Sequence, residues 1–96
     1  MVKNLAILAD SKMLKAMANE KRLEILSRLL EKETNVGDLE KMLNISQSAL
    51  SQHLAILREA NIVATKRVAQ VIYYSVVNEK AISILKLLNT YRDRRY

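Results

Sequence analysis

The stretch "DLEKMLNISQSALSQHLAILRE", residues 38–59, holds two helical periods separated by a turn. Leu39 and Leu43 are four apart, so they share one face of a short helix. Asn44 follows where the chain must turn, and Asn tolerates the left-handed conformation that ends a helix. Ser46 can then cap a second helix through its hydroxyl. Helix, tight turn, helix is the predicted unit, with Leu39, Leu43, Ile45, Leu50 and His53 as its inward positions.

At 100° per residue, one arc of the second helix holds Ala49, Leu50, Leu54, Ile56, Leu57 and Ala60, with His53 among them. The other holds Gln47, Ser48, Ser51, Gln52, Ala55, Arg58 and Glu59. Exposed helix faces usually carry Lys and Glu, so four uncharged hydrogen-bonding residues in the first two turns ask for a reason. DNA base edges supply one. Gln pairs bidentately with adenine, Ser donates or accepts, and small uncharged side chains let a helix sink into the major groove. Phosphate attraction is blind to sequence, whereas bonds to base edges carry sequence information. His53 reads as a packing residue at the edge of this unit, with a backbone or phosphate contact as the alternative.

Working outward, a first helix is expected from about Lys3 to Ala18, with Leu5, Ile7, Leu8, Met13, Leu14 and Met17 covering more than one stripe. Asn19 is placed to cap a second helix whose core face is Leu23, Ile25, Leu26, Leu29 and Leu30, with Glu20 in the turn where the dipole favours an anion. The helix before the turn is capped by Thr34 or Asn35. After Asn61 the period changes: "IVATKRVAQVIYYSV", residues 62–76, is rich in β-branched and aromatic residues around a polar middle, which predicts a two-stranded hairpin. Lys66 and Arg67 lie near its tip. A final helix from about Asn78 to Arg92 carries Ile82, Ile84, Leu85, Leu87, Leu88 and Tyr91, again too widely spread for one face. The order is α-α-α-α-β-β-α, mostly α with a small β-hairpin, in a single domain over residues 1–96.

A chain of about 100 residues supports one core, and that core has little room for two broadly apolar terminal helices. A homodimer joined through the first and last helices accommodates them, with Leu5, Leu8, Leu14, Ile84, Leu85, Leu88 and Tyr91 as interface candidates.

The net charge is +6, which points to a polyanionic partner. Its distribution locates that partner: residues 1–43 hold eight basic and seven acidic side chains, residues 44–96 eight and three. Arg58, Lys66 and Arg67 are placed to neutralise phosphates beside the groove, Ser46 to meet the backbone, and Gln70 to reach a minor-groove edge. With no Cys and one His, disulfides and thiolate metal sites are excluded and no metal or other cofactor is expected. The same residues offer no nucleophile and base pair, so an enzyme is not expected. The apolar run Leu5 to Ala9 is too short for a membrane span, and a cytoplasmic location is expected. A protein-interaction module with only non-specific DNA affinity is the competing reading.

A helix-turn-helix followed by a basic hairpin is a winged helix, and "NISQSALSQHLAILREANIV…QVIYYSV" with "LKAMANEKRLEIL" closely resembles the ArsR/SmtB family, in particular its HlyU, BigR and NolR group. The resemblance runs from about Leu14 to Leu88. It implies a homodimeric repressor bound to an inverted-repeat operator, with Gln47, Ser48, Ser51 and Gln52 in the major groove and Lys66, Arg67 and Gln70 in the wing. The departures concern sensing. Thiol-sensing members carry Cys where this chain has Ser27 and, near the end of the last helix, about where Asp93 lies. The third helix, "TNVGDLE", keeps no metal ligand of the family's box except Asp38, and Glu79 and Asp93 read as surface charges. No effector is named by these residues. Glu40 replaces a usual Ala, and "VAQ" at the wing tip lacks the usual Gly, which predicts a loop longer than a tight two-residue turn because Ala resists positive φ.

Overall fold

A computed structural model describes residues 2–93. Its elements are α1 (Val2–Met17), α2 (Glu20–Glu31), β1 (Thr34–Asn35), α3 (Val36–Leu43), α4 (Gln47–Glu59), β2 (Val63–Val68), β3 (Val71–Val76) and α5 (Glu79–Asp93). Local chemistry sets most boundaries. Asn19 Oδ1 accepts from Arg22 N at 3.0 Å and starts α2. Asn35 Oδ1 accepts from Asp38 N at 2.9 Å and starts α3, so Asn35 rather than Thr34 is the cap. Ser46 Oγ accepts from Ala49 N at 3.2 Å and starts α4. Between the last two, Asn44 takes the left-handed conformation, φ 50 and ψ 53.

The end of α4 is fixed as firmly as its start. Asn61 has φ 59, its N–H bonds to Arg58 O at 2.9 Å, and the next N–H, of Ile62, reaches back to Leu57 O at 3.0 Å. This is the Schellman arrangement, completed by contact between the residues on either side of the turn. Ile62 and Leu57 are both fully buried. The turn aims the chain into the hairpin, and Ile62 O receives Val77 N at 2.9 Å as the chain returns.

The core is aliphatic. Met13, Ala16 and Met17 from α1 meet Ile25, Leu26 and Leu29 from α2, Leu39 and Leu43 from α3, and Leu50, Leu54 and Leu57 from α4. Ala81 and Leu85, four apart on α5, close it. Leu85 is only 1% exposed in its own chain, which corrects its place among the interface candidates: it faces inward. Ile84 is half-buried and packs against the same core.

Two features of the sheet depart from expectation. A third strand exists: the two-residue β1 pairs antiparallel with β3, Thr34 opposite Tyr74 and Asn35 opposite Tyr73, giving the order β1-β3-β2. Two residues are too few to show a period of two. The hairpin loop is also shorter than expected, because Val68 pairs directly with Val71 and leaves only Ala69 and Gln70 between the strands. Ala69 has φ 58, while Gln70 is not among the residues with positive φ; this is the φ pattern of a II′ turn, which normally has Gly at its first position. Ladder pairing along both strands holds Ala in a conformation that disfavours it. Ala69→Gly is therefore expected to stabilise the fold by about 0.5–1 kcal/mol, read as a higher urea midpoint at unchanged m.

The Cα radius of gyration is 14.0 Å, above the roughly 13 Å of a compact chain of this length. Projection accounts for the excess. Residues 4–9 of α1 are exposed all round, and β2 beyond Val63 is exposed to its end.

Candidate nucleic-acid interface

Helix α4 lies with Leu50, Leu54 and Leu57 in the core, which turns Gln47, Ser48, Ser51 and Gln52 outward, all four exposed. They occupy its first two turns, the end by which a recognition helix meets base edges. Ser46 Oγ is engaged as the cap of α4, and its O–H remains a donor. Arg58 is exposed farther along the helix. Ile56, assigned to the apolar arc, is 41% exposed: it lies at the edge of that arc, beyond the reach of the core.

The wing distributes its charges over two faces. Lys66 and Arg67 are neighbours on β2, so their side chains leave on opposite faces. Lys66 Nζ is 3.1 Å from Glu33 Oε1, an exposed ion pair that anchors the wing to the segment before β1. An exposed pair of this kind contributes little to stability, and it leaves Lys66 available to exchange Glu33 for a phosphate. Arg67 Nε donates to Ala69 O at 3.1 Å and folds toward the tip. Gln70, in the turn, is exposed.

His53 is partly buried, and Arg22 Nη1 stands 3.3 Å from its Nδ1. A guanidinium can only donate, so Nδ1 accepts and the ring proton belongs on Nε2. Arg22 also donates through Nε to Ala16 O and through Nη2 to Lys15 O, at 3.5 Å in the latter case. It thus caps the carbonyl end of α1 and bridges α1 to α4. The signal was present in the sequence: a cation in the first turn of α2 opposes the helix dipole, so it needs partners outside its own helix. Burial first, and the Arg22 charge second, hold the His53 pKa below its ordinary 6.5. The native chain therefore favours neutral His53. That contribution to stability is full above 6.5 and is lost as pH falls from there through the lowered native value. The Tm advantage of the wild type over His53→Gln is expected to shrink on acidification across this window; an advantage independent of pH would show that His53 does not titrate in contact with Arg22.

Helices α1 and α5 are linked by Lys80 Nζ to Asp10 Oδ1 at 2.8 Å. Leu14 and Ile84 line one groove between them. Leu5, Leu8, Leu14, Leu88 and Tyr91 are exposed, and so are Ile7 and Leu87. Among the described residues no group of three or more His, Asp or Glu is gathered that could hold a metal ion. The Asp93 side chain lies outside the described residues. No described helix is long and apolar enough to cross a membrane.

Two helices joined by a left-handed Asn, the second presenting an uncharged polar face, followed by a projecting hairpin, make up a winged helix-turn-helix of the DNA-binding kind. Residues 19–65 match the bacterial regulatory protein, arsR family. The transcriptional activator HlyU of Vibrio cholerae is 48% identical over 77 residues, 80% of this chain and 71% of HlyU. The solved structure of HlyU from Vibrio cholerae superposes with a TM-score of 0.85 at 45% identity, covering 95% of this chain and 97% of that one. The nodulation protein NolR of Rhizobium meliloti is 51% identical over 76 residues, 79% of this chain and 62% of NolR. The crystal structure of the transcriptional repressor BigR from Xylella fastidiosa gives a TM-score of 0.80 at 33% identity, covering 95% of each chain. The chain belongs to the ArsR family of winged-helix transcription regulators. Its relatives are regulators with a DNA-binding fold, not enzymes.

Proposed function

We propose that this protein is a cytoplasmic, sequence-specific transcription regulator that binds an inverted-repeat operator as a homodimer and represses where that operator overlaps a promoter. The observation that carries the reading is the face of Gln47, Ser48, Ser51 and Gln52, exposed at the N-terminal end of α4 and free of charge. Gln47 and Gln52 supply paired donors and acceptors for adenine, and the serines fit against bases too close for longer side chains. Ser46, Arg58, Lys66 and Arg67 hold the phosphates, and Gln70 meets the minor groove. The exposed apolar residues of α1 and α5 supply the dimer contact. Two-fold symmetry then places half-sites about one helical turn, roughly 10 bp, or a multiple of it apart. With no Cys in the 96 residues and Ser at position 27, the response is neither thiol-based nor built on the family's metal boxes.

Enrichment of binding sites from a random duplex pool tests this reading, followed by titration of the selected duplex and a scrambled copy at several salt concentrations. An inverted repeat with a large affinity gap at every salt is expected. If both duplexes bind equally and only at low salt, the charge alone is responsible and the interaction-module reading replaces this one.

A further inference from the structure

Between α1 and α4 lies an open cavity of about 470 Å³, within the range of roughly 300–1,000 Å³ that holds small organic molecules. Leu8, Ala16, Ile56 and Ala60 are its aliphatic lining. Ile56 is the one member of the apolar arc of α4 that the core leaves exposed, and the base-reading face does not use it. Its charged lining is mainly cationic: Lys12, Lys15 and Arg22, with Glu59 as the single carboxylate. Among the described residues neither Lys12 nor Lys15 has an ion-pair partner. The hydrogen bonds of Arg22 go to carbonyls and His53, and none goes to a carboxylate.

The geometry points to a binding site for an amphiphilic monocarboxylate, with its hydrocarbon body on Ala16, Ile56 and Ala60 and its carboxylate among Lys12, Lys15 and Arg22. Such a ligand buries apolar surface that the fold leaves wet and meets a planar guanidinium suited to carboxylate. It also reaches the bridge between α1 and α4. A carboxylate recruits the Arg22 N–H groups more strongly than a neutral imidazole does, so loading loosens the 3.3 Å contact to His53. That coupling matters for DNA only if α4 is the reading helix, as proposed above; the binding site itself does not depend on that reading.

The test is titration of the isotope-labelled full chain with decanoate below its micelle-forming concentration, followed through backbone amide and His53 ring resonances, with decylammonium as the charge-reversed probe. Saturable binding of decanoate is expected, at least about tenfold tighter than decylammonium, with shifts at Lys12, Lys15, Ala16, Ile56 and Ala60 and movement of the His53 ring. Lys12→Glu with Lys15→Glu, both on exposed positions, should abolish the preference for decanoate and leave amide signals elsewhere in place. Equal binding of the two probes, shifts confined to Leu5, Ile7 and the exposed leucines of α5, or a His53 ring that does not respond would each overturn the proposal. None of these readouts contains DNA, so a failed operator selection and a failed titration remain distinct results.

Discussion

Replacing Leu5 and Leu88 together by Lys is expected to give a folded monomer whose operator affinity is lower by roughly 10²–10⁴-fold. Both side chains are exposed in the isolated chain, Leu5 at 66% and Leu88 at 39%, so their loss leaves the core intact. In a dimer they would be buried, each contributing about 1.5–3 kcal/mol, and two lysines per protomer across the contact would add repulsion between like charges. The loss at the operator follows from linkage: once one protomer is seated, its partner meets the second half-site as an intramolecular event, and a monomer forgoes that advantage. Lys is the informative replacement because it raises the positive charge. Attraction to phosphate then increases, so weaker operator binding cannot be assigned to charge. Sedimentation gives the oligomeric state and titration of operator and scrambled duplex gives the affinities. A variant that remains dimeric would remove α1 and α5 from the interface.

The interface is also where the sequence is least legible. Along α5, Ile84 is half-buried, Leu85 is in the core and Leu88 is exposed, although all three are similar in size and apolar character. On a helix whose apolar residues spread beyond one face, which stripe faces inward depends on where the rest of the fold lies, and no local period encodes that. Caps are different. Asn19, Asn44 and Ser46 could be placed, and the start of α3 narrowed to Thr34 or Asn35, because capping is local to the backbone within about three residues. The same holds for the polar face of α4, which follows from a strong apolar period on the opposite side. Contacts between distant positions left little local trace: Thr34 pairs with Tyr74, and Arg22 meets His53 across a separation of 31. The turn at Ala69 shows a third case, in which local preference pointed to a longer loop and the pairing of Val68 with Val71 prevailed.

Gln47→Ala is expected to cost about 1–3 kcal/mol for each half-site on the selected operator. Gln47 is the first residue of α4 and is exposed, so the fold should lose no more than about 0.5 kcal/mol. What distinguishes base reading from general adhesion is the pattern across DNA sequences. A side chain that reads a base edge matters only when its base is present; affinity for a scrambled duplex should therefore be unchanged. Gln47 carries no charge and displaces no counterions, so the slope of log affinity against log salt should also be unchanged. Arg67→Ala provides the opposite signature, weakening both duplexes alike and reducing the slope by about one for each protomer. Should Gln47→Ala weaken operator and scrambled DNA equally, the uncharged face of α4 would be contacting the backbone, and sequence discrimination would have to come from the wing or from the shape of the DNA.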